Sequence, residues 1–293
     1  MTGWLIYSKA DAIKNAAYIE LYMEEAKVRG IEIILIYREE LAFGVKHGKN
    51  DINYQETSVM LPSFAICRTI YPLLSCHLES MGIPVFNNGK VAEICNDKAK
   101  TYQYVAKAGI PIIDTCFIKN NEIRESFMKI KGPTVAKAVD GHGGSQVFLL
   151  DENVLNNPET IEDIIYRMED SDIVLQPLTG KKNSDLRVYV IGDKIVASVL
   201  RTADTGFRSN YSLGGQVCLY PLSDCEKMTV EKIIDLFEFG MVGIDFLIGE
   251  EGELIFNEIE DVVGARMLYH CSDINLVGLY LDFICKQINE MKE

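Results

Sequence analysis

Three carboxylates, Asp245, Glu258 and Glu260, sit in two apolar runs separated by Gly249-Glu-Glu-Gly252. Strand-forming runs on either side of a glycine- and acid-rich turn predict a β-hairpin. An antiparallel pair brings the late residues of its second strand back beside the early residues of its first. Asp245 then returns beside Glu258 and Glu260, and a spacing of two puts both glutamates on one face. Like charges buried together cost several kcal/mol per unpaired ion, roughly. A cation removes that cost, and hard oxygen ligands favour Mg²⁺ or Mn²⁺, which commonly hold substrate phosphates as well. The alternative is an acidic hairpin end in solvent.

Groups suited to phosphate lie upstream. Asp140-Gly-His-Gly-Gly-Ser145 joins two strand-like runs. Gly143, Gly144 and Ser145 can turn successive N–H groups toward an anion. The loop is neither a Walker A motif nor a dinucleotide fingerprint; it reads as a glycine flap over phosphates or as a plain hairpin loop. Lys137, between Val135-Ala136 and Ala138-Val139, needs an anionic partner in so apolar a strand, and a phosphate would serve. Asp185-Leu-Arg187 opens one strand of a second hairpin and Arg201 closes the other, so the two arginines share an end. Guanidinium forks suit phosphate or carboxylate oxygens. These cations near three carboxylates suggest a metal-bridged phosphate site, with an ion-pair network as the alternative. Pro177 lacks an N–H, so a purine edge at Gln176-Pro-Leu178 would use the Gln176 carbonyl and the Leu178 N–H. His142 either touches phosphate or has no role. His47, His77 and His270 show no ligand or triad spacing.

The elements that position these residues begin with alternating strands and helices. Residues 4–7, 31–37, 64–67 and 83–86 read as strands, and residues 11–29 and 72–81 as helices. Strand–helix–strand repetition implies a mostly parallel sheet that binds ligands beyond its carboxyl ends. Arg68, just past one strand, is either a substrate contact or a surface salt bridge. Asn96 reads as the N-cap of the next helix, which Gly109-Ile-Pro111 ends. Strands follow at 133–139, 146–150 and 173–176, a hairpin at 186–200, and helices at 158–169, 223–239 and 273–291.

A chain of 293 residues allows two or three lobes. Its 29 basic and 43 acidic residues give a net charge of -14, which argues against nucleic acid as a partner. Eight cysteines show no C-x-x-C pair and no zinc spacing, as expected of a protein in a reducing cytoplasm. No signal peptide and no apolar run of membrane-spanning length are evident.

The series Asp97-Lys98-x-x-Thr101, Lys137 with the glycine loop, Gln176, Asp185-x-Arg187, Arg201, Phe207-Arg-Ser-Asn210, Gly214-Gly215, Gly243-x-Asp245 and Glu258-x-Glu260 resembles the ATP-grasp superfamily. Within it the chain is similar to the RimK-type ligases, which include α-L-glutamate ligases and amino-acid-carrier ligases of lysine biosynthesis. The resemblance spans nearly the whole chain, and Phe207–Asn210 with Gly214-Gly215 is its most discriminating part.

It implies an α/β ATP-grasp fold: an N-terminal parallel-sheet domain at 1–92 and an ATP-grasp domain at 93–293, with a flap subdomain at about 112–175 and a C-terminal α+β subdomain at about 176–293. By resemblance, Lys98 and Lys137 hold ATP phosphates under the flap. Gln176 and Leu178 hold adenine, and Asp185 and Arg187 border the nucleotide. Arg201, Arg208 and Asn210 bind the reacting carboxylate or its acyl phosphate. Asp245, Glu258 and Glu260 bind Mg²⁺ or Mn²⁺, two ions in the family. The implied reaction is amide formation between a carboxylate and an amine, with ADP and phosphate released. An amino acid would be one substrate, and a small molecule or a peptide the other. The family often forms dimers or tetramers. A small-molecule kinase and a catalytically silent nucleotide-binding protein are the alternatives.

Two positions depart from the family pattern. Glu260 stands where the family usually has Asn, and Val263-Gly264 stands where it has Pro-Gly. The first adds a negative charge beside the metal ligands. The second lies near 262–266, where an acceptor pocket would form.

Overall fold

A computed structural model of the chain describes residues 1–144, 146–168, 170–180, 184–202 and 216–292. The N-terminal strands are Thr2–Tyr7 (β1), Glu32–Tyr37 (β2), Leu41–Lys46 (β3), Lys49–Tyr54 (β4), Thr57–Ser58 (β5), Phe64–Cys67 (β6) and Val85–Phe86 (β7). β2, β1, β6 and β7 form the parallel sheet the strand–helix alternation implies. Covered on both faces, β1 buries every residue from Gly3 to Tyr7, which is why it reads as a continuous apolar run. The helix expected at 11–29 is two helices, Lys9–Lys14 and Ala16–Val28. Asn15 interrupts it by turning its side chain back onto the Asp11 carbonyl at 2.8 Å, an alternative to continuing the helix.

β3, β4 and β5 form a small antiparallel sheet that sequence reading missed. Its β3–β4 turn sits at His47 and Gly48, both left-handed (φ 51° and 75°), as a two-residue hairpin turn requires. The N-cap expected at Asn96 is Asp97, whose carboxylate accepts from the Lys100 N–H at 2.9 Å. Asn96 instead ends the preceding helix, donating to the Ala92 carbonyl at 2.7 Å.

Cys116–Ile118 (β8), Thr134–Ala138 (β9), Val147–Leu150 (β10) and Ile173–Pro177 (β11) build an antiparallel sheet in the order β10-β9-β11-β8. Ser184–Ile191 (β12), Lys194–Thr202 (β13), Gln216–Leu219 (β14), Met241–Ile248 (β15) and Leu254–Glu260 (β16) build the central sheet in the order β14-β13-β12-β15-β16. One face of that sheet presents Leu186, Val188, Val190, Val242, Ile244 and Phe246 to an apolar core. On the other face Tyr189, Ile191, Val199 and Met241 pack against β1, β6 and the helix Leu276–Glu290. Further along this second face, apolar residues give way to Asp185, Arg187, Arg201 and Asp245.

β16 cannot be a regular strand. Strict alternation would put Leu254, Phe256, Glu258 and Glu260 on one face, mixing core residues with acids. The register shows the resolution: Phe256 opposes Phe246 and Glu258 opposes Asp245, so Asn257 is an extra residue in a β-bulge. Past the bulge the faces exchange. Ile259 joins the core with Leu254 and Phe256, while Glu258 and Glu260 stand on the polar face.

Buried Asn87 ties this sheet to the N-terminal sheet. Its Nδ2 donates to the carbonyls of Met241 and Asp261, both at 2.9 Å. Its Oδ1 accepts from the N–H groups of Gly240 and Met241, at 2.6 and 3.0 Å.

Candidate active site

Arg187, Arg201, Asp185 and Asp245 are neighbours because β12 lies between β13 and β15. Asp185 opposes Arg201 across one pairing, and Arg187 opposes Asp245 across the other. Arg187 grips both Asp245 oxygens through Nε and Nη2, each at 2.7 Å. Arg201 grips both Asp185 oxygens at 2.5 and 2.6 Å and reaches Asp245 Oδ2 at 2.8 Å. Nη1 of Arg187 pairs with Glu260 Oε2. Such fork-to-fork pairs fix geometry as well as charge.

Burial and pairing divide the two aspartates. Burial would raise the Asp245 carboxyl, but Arg187 and Arg201 together outweigh it and hold it down at about 2. Burial pushes Asp185 up to about 6; the pull of Arg201 offsets only part, and Asp245 adds repulsion.

Two lysines approach this face from other elements. Lys98 begins the helix Lys98–Lys107, donates to the Gly141 carbonyl at 2.5 Å and lies 3.5 Å from Glu258 Oε2. Lys137, on β9, donates to Asn257 Oδ1 at 2.9 Å. Burial lowers the pKa of its ammonium, with Glu258 partly offsetting this. The glycine loop joins β9 to β10 as expected, with Gly143 and Gly144 left-handed (φ 62° and 74°). Four carboxylates (Asp185, Asp245, Glu258, Glu260) thus face four cations (Lys98, Lys137, Arg187, Arg201) across contacts between two sheets and a helix.

The other expected residues fall out differently. Gln176 is buried and its Nε2 donates to Thr115 Oγ1 at 2.8 Å, while its Oε1 has no hydrogen-bond partner among the described residues. The Leu178 N–H, expected to face a purine, donates to the Pro133 carbonyl at 3.0 Å, because β11 pairs with β9 up to Pro177. Arg68 is not on the surface and has no salt bridge among the described residues: it is buried, donating to the Val263 carbonyl at 2.8 Å and to Tyr7 Oη at 3.3 Å. His142 lies exposed on the glycine loop. Ser145, Arg208 and Asn210, with the Phe207 and Gly214-Gly215 positions, lie outside the described residues.

Asn257 and Tyr102 were missed. Tyr102 donates to the Asn257 carbonyl at 2.8 Å, tying the helix of Lys98 to the bulge. The legible signal for Asn257 was the conflict of apolar and acidic residues at alternate positions of β16.

Asp245, Glu258 and Glu260 share a face, as the hairpin predicts. No three His, Cys, Asp or Glu side chains among the described residues gather closely enough to hold one ion. The reason is Asp245, which the two guanidiniums have turned to themselves. Glu258 and Glu260, with side chains 38% and 42% exposed, offer hard oxygen donors, although Glu260 Oε2 is buried against Arg187. The donor set therefore fits Mg²⁺ or Mn²⁺ through these two glutamates, with Asp245 beside them.

A profile of the RimK-like ATP-grasp domain matches residues 95–284. The chain is 28% identical over 214 residues to a probable alpha-L-glutamate ligase of Legionella pneumophila, covering 72% of this chain and 70% of the relative. A RimK-domain ATP-grasp protein of Sphaerobacter thermophilus superposes with a TM-score of 0.71 at 17% identity, over 97% of this chain and 100% of that one. The ATP-grasp ligase PsnB, solved with a precursor variant, Mg and ADP, superposes with a TM-score of 0.69 at 16% identity, over 97% of each chain. The chain belongs to the RimK-like ATP-grasp family and has the ATP-grasp fold. No helix among the described residues is long and apolar enough to cross a membrane.

Proposed function

We propose that this chain is an ATP-dependent carboxylate–amine ligase that forms an amide bond through an acyl phosphate, with an amino acid as one substrate. The observation that carries this reading is the pair Lys98 and Lys137. Both are buried, come from separate elements, and converge on Glu258 and Asn257 beneath a glycine loop. Nothing in folding requires two lysines beside four carboxylates, and burying such sets is often less stable than an apolar core.

Lys98 and Lys137 would hold the phosphates, with Gly143, Gly144 and Ser145 covering them. Gln176 Oε1, which has no hydrogen-bond partner among the described residues, suits the amino group of adenine, and Leu178 would border the base through its side chain. The substrate carboxylate would attack the γ-phosphorus, breaking its bond to the β–γ bridging oxygen and releasing ADP. The carboxylate oxygen leaves poorly until phosphorylated, after which an amine displaces phosphate at the carbonyl carbon. Arg201, Arg208 and Asn210 would hold that carboxylate, and Asp185 and Arg187 would fix Arg201 and Asp245. Glu258, Glu260 and Asp245 would hold Mg²⁺ or Mn²⁺, which neutralises the charge on the transferring phosphoryl group. Closure of the loop would keep water from the acyl phosphate. The relatives named glutamate ligases and the precursor bound to PsnB support an amino acid and either a small molecule or a peptide as substrates.

ADP release with MgCl₂ and a panel of amino acids, alone and with short acidic peptides, tests the reading. Mass spectrometry should show a product lighter by water than its two substrates combined. Phosphorylated product without amide would favour a kinase. Absence of both in the parent, with ATP still bound, would favour a silent nucleotide-binding protein.

A further inference from the structure

Asn257 contacts nothing that reacts, yet Lys137 and the helix that begins at Lys98 are both tied to it. As the extra residue of the β16 bulge, it projects where a regular strand would have placed neither core nor acid. Its side-chain oxygen accepts from Lys137 at 2.9 Å, and its carbonyl accepts from Tyr102, on the helix that begins at Lys98. Lys98 has Glu258 at 3.5 Å. No carboxylate lies within 4.0 Å of the Lys137 ammonium among the described residues; its partner there is a neutral amide.

That difference has a consequence for binding. A carboxylate at this position would hold Lys137 but also neutralise it, and would repel an incoming phosphate. An amide oxygen satisfies one of the three ammonium donors without itself neutralising the positive charge. We propose that Asn257 is a positioning residue for nucleotide phosphates: the bulge presents a neutral acceptor that fixes Lys137 while preserving its charge for the ligand. The inference rests on the nucleotide-binding reading above and goes beyond it.

The test is calorimetry of the full chain with ATP, ADP and adenosine in MgCl₂, alongside thermal melts. Asn257→Leu removes the acceptor, and Asn257→Asp keeps the acceptor but adds charge. Loss of one hydrogen bond to a charged group should weaken ATP binding by Asn257→Leu roughly tenfold. Asn257→Asp should melt no lower than the parent, yet bind ATP more than about tenfold more weakly, with a smaller loss for ADP and none for adenosine. Parental ATP affinity in Asn257→Asp, or equal losses for ATP and adenosine in both variants, would overturn the proposal. If the parent itself takes up no ATP, the nucleotide-binding reading falls and this inference falls with it. ATP uptake by the parent that is unaltered in both variants overturns this inference alone.

Discussion

Arg187 joins two carboxylates from different strands, gripping Asp245 on β15 through Nε and Nη2 and Glu260 on β16 through Nη1. Asp245 is 2% exposed and Glu260 has a side chain 42% exposed, so the two contacts differ in worth. Replacing Arg187 by Met leaves a buried carboxylate with Arg201 alone, and should destabilise the fold by about 3–5 kcal/mol. Glu260→Gln should cost less than Arg187→Met, because it removes one charge from a partly exposed side chain and leaves Arg187 paired with Asp245. Urea unfolding of both variants checks the contrast; equal losses would show that burial does not set the difference.

Asn87 satisfies four backbone groups from two segments of the chain. Asn87→Leu would leave several of them buried without partners, each costing about 1–3 kcal/mol. A loss of at least about 3 kcal/mol is expected. The contact links the N-terminal and central sheets, so limited proteolysis should cut the variant between them while the parent resists.

Deleting Asn257 should be far worse than substituting it. Without the extra residue, either Glu258 and Glu260 enter the core or Leu254 and Phe256 leave it. The deletion variant is expected to be insoluble, whereas Asn257→Leu remains soluble. Comparable soluble yields would show that the bulge is not what sets the two faces of β16.

Asp261 predicts a pH dependence. Burial is the largest cause raising its carboxyl to about 7, and its Oδ1 lacks a hydrogen-bond partner among the described residues. A folded-state pKa above the unfolded 3.8 means the folded chain binds the proton more tightly between those values. This group's contribution is therefore complete below about pH 4 and is lost as pH rises toward about 7. Asp261→Asn cannot titrate, so its stability relative to the parent should rise over that window. Denaturation midpoints at acid, intermediate and mildly alkaline pH test this; a constant difference between parent and variant would refute it.

The residue types alone determined much. Apolar runs broken by helices specified the N-terminal parallel sheet, because only strands covered on both faces can be apolar throughout. The glycine loop between Lys137 and Val147, the shared hairpin end of Arg187 and Arg201, and the return of Glu258 to Asp245 followed from hairpin geometry. These are local relations, set by turn chemistry and a period of two. Sequence spacing did not show that Asp245 would be held by two arginines, that the Leu178 N–H would be taken by Pro133, or that Lys137 would rest on Asn257. The partners are separated by many residues and meet only when sheets pair or pack, and each polar group then takes the nearest partner that burial leaves it. The bulge belongs to both sides: its need was written in the alternation of β16, but which residue would be extruded was decided by the core that Phe246 and Phe256 had to fill together.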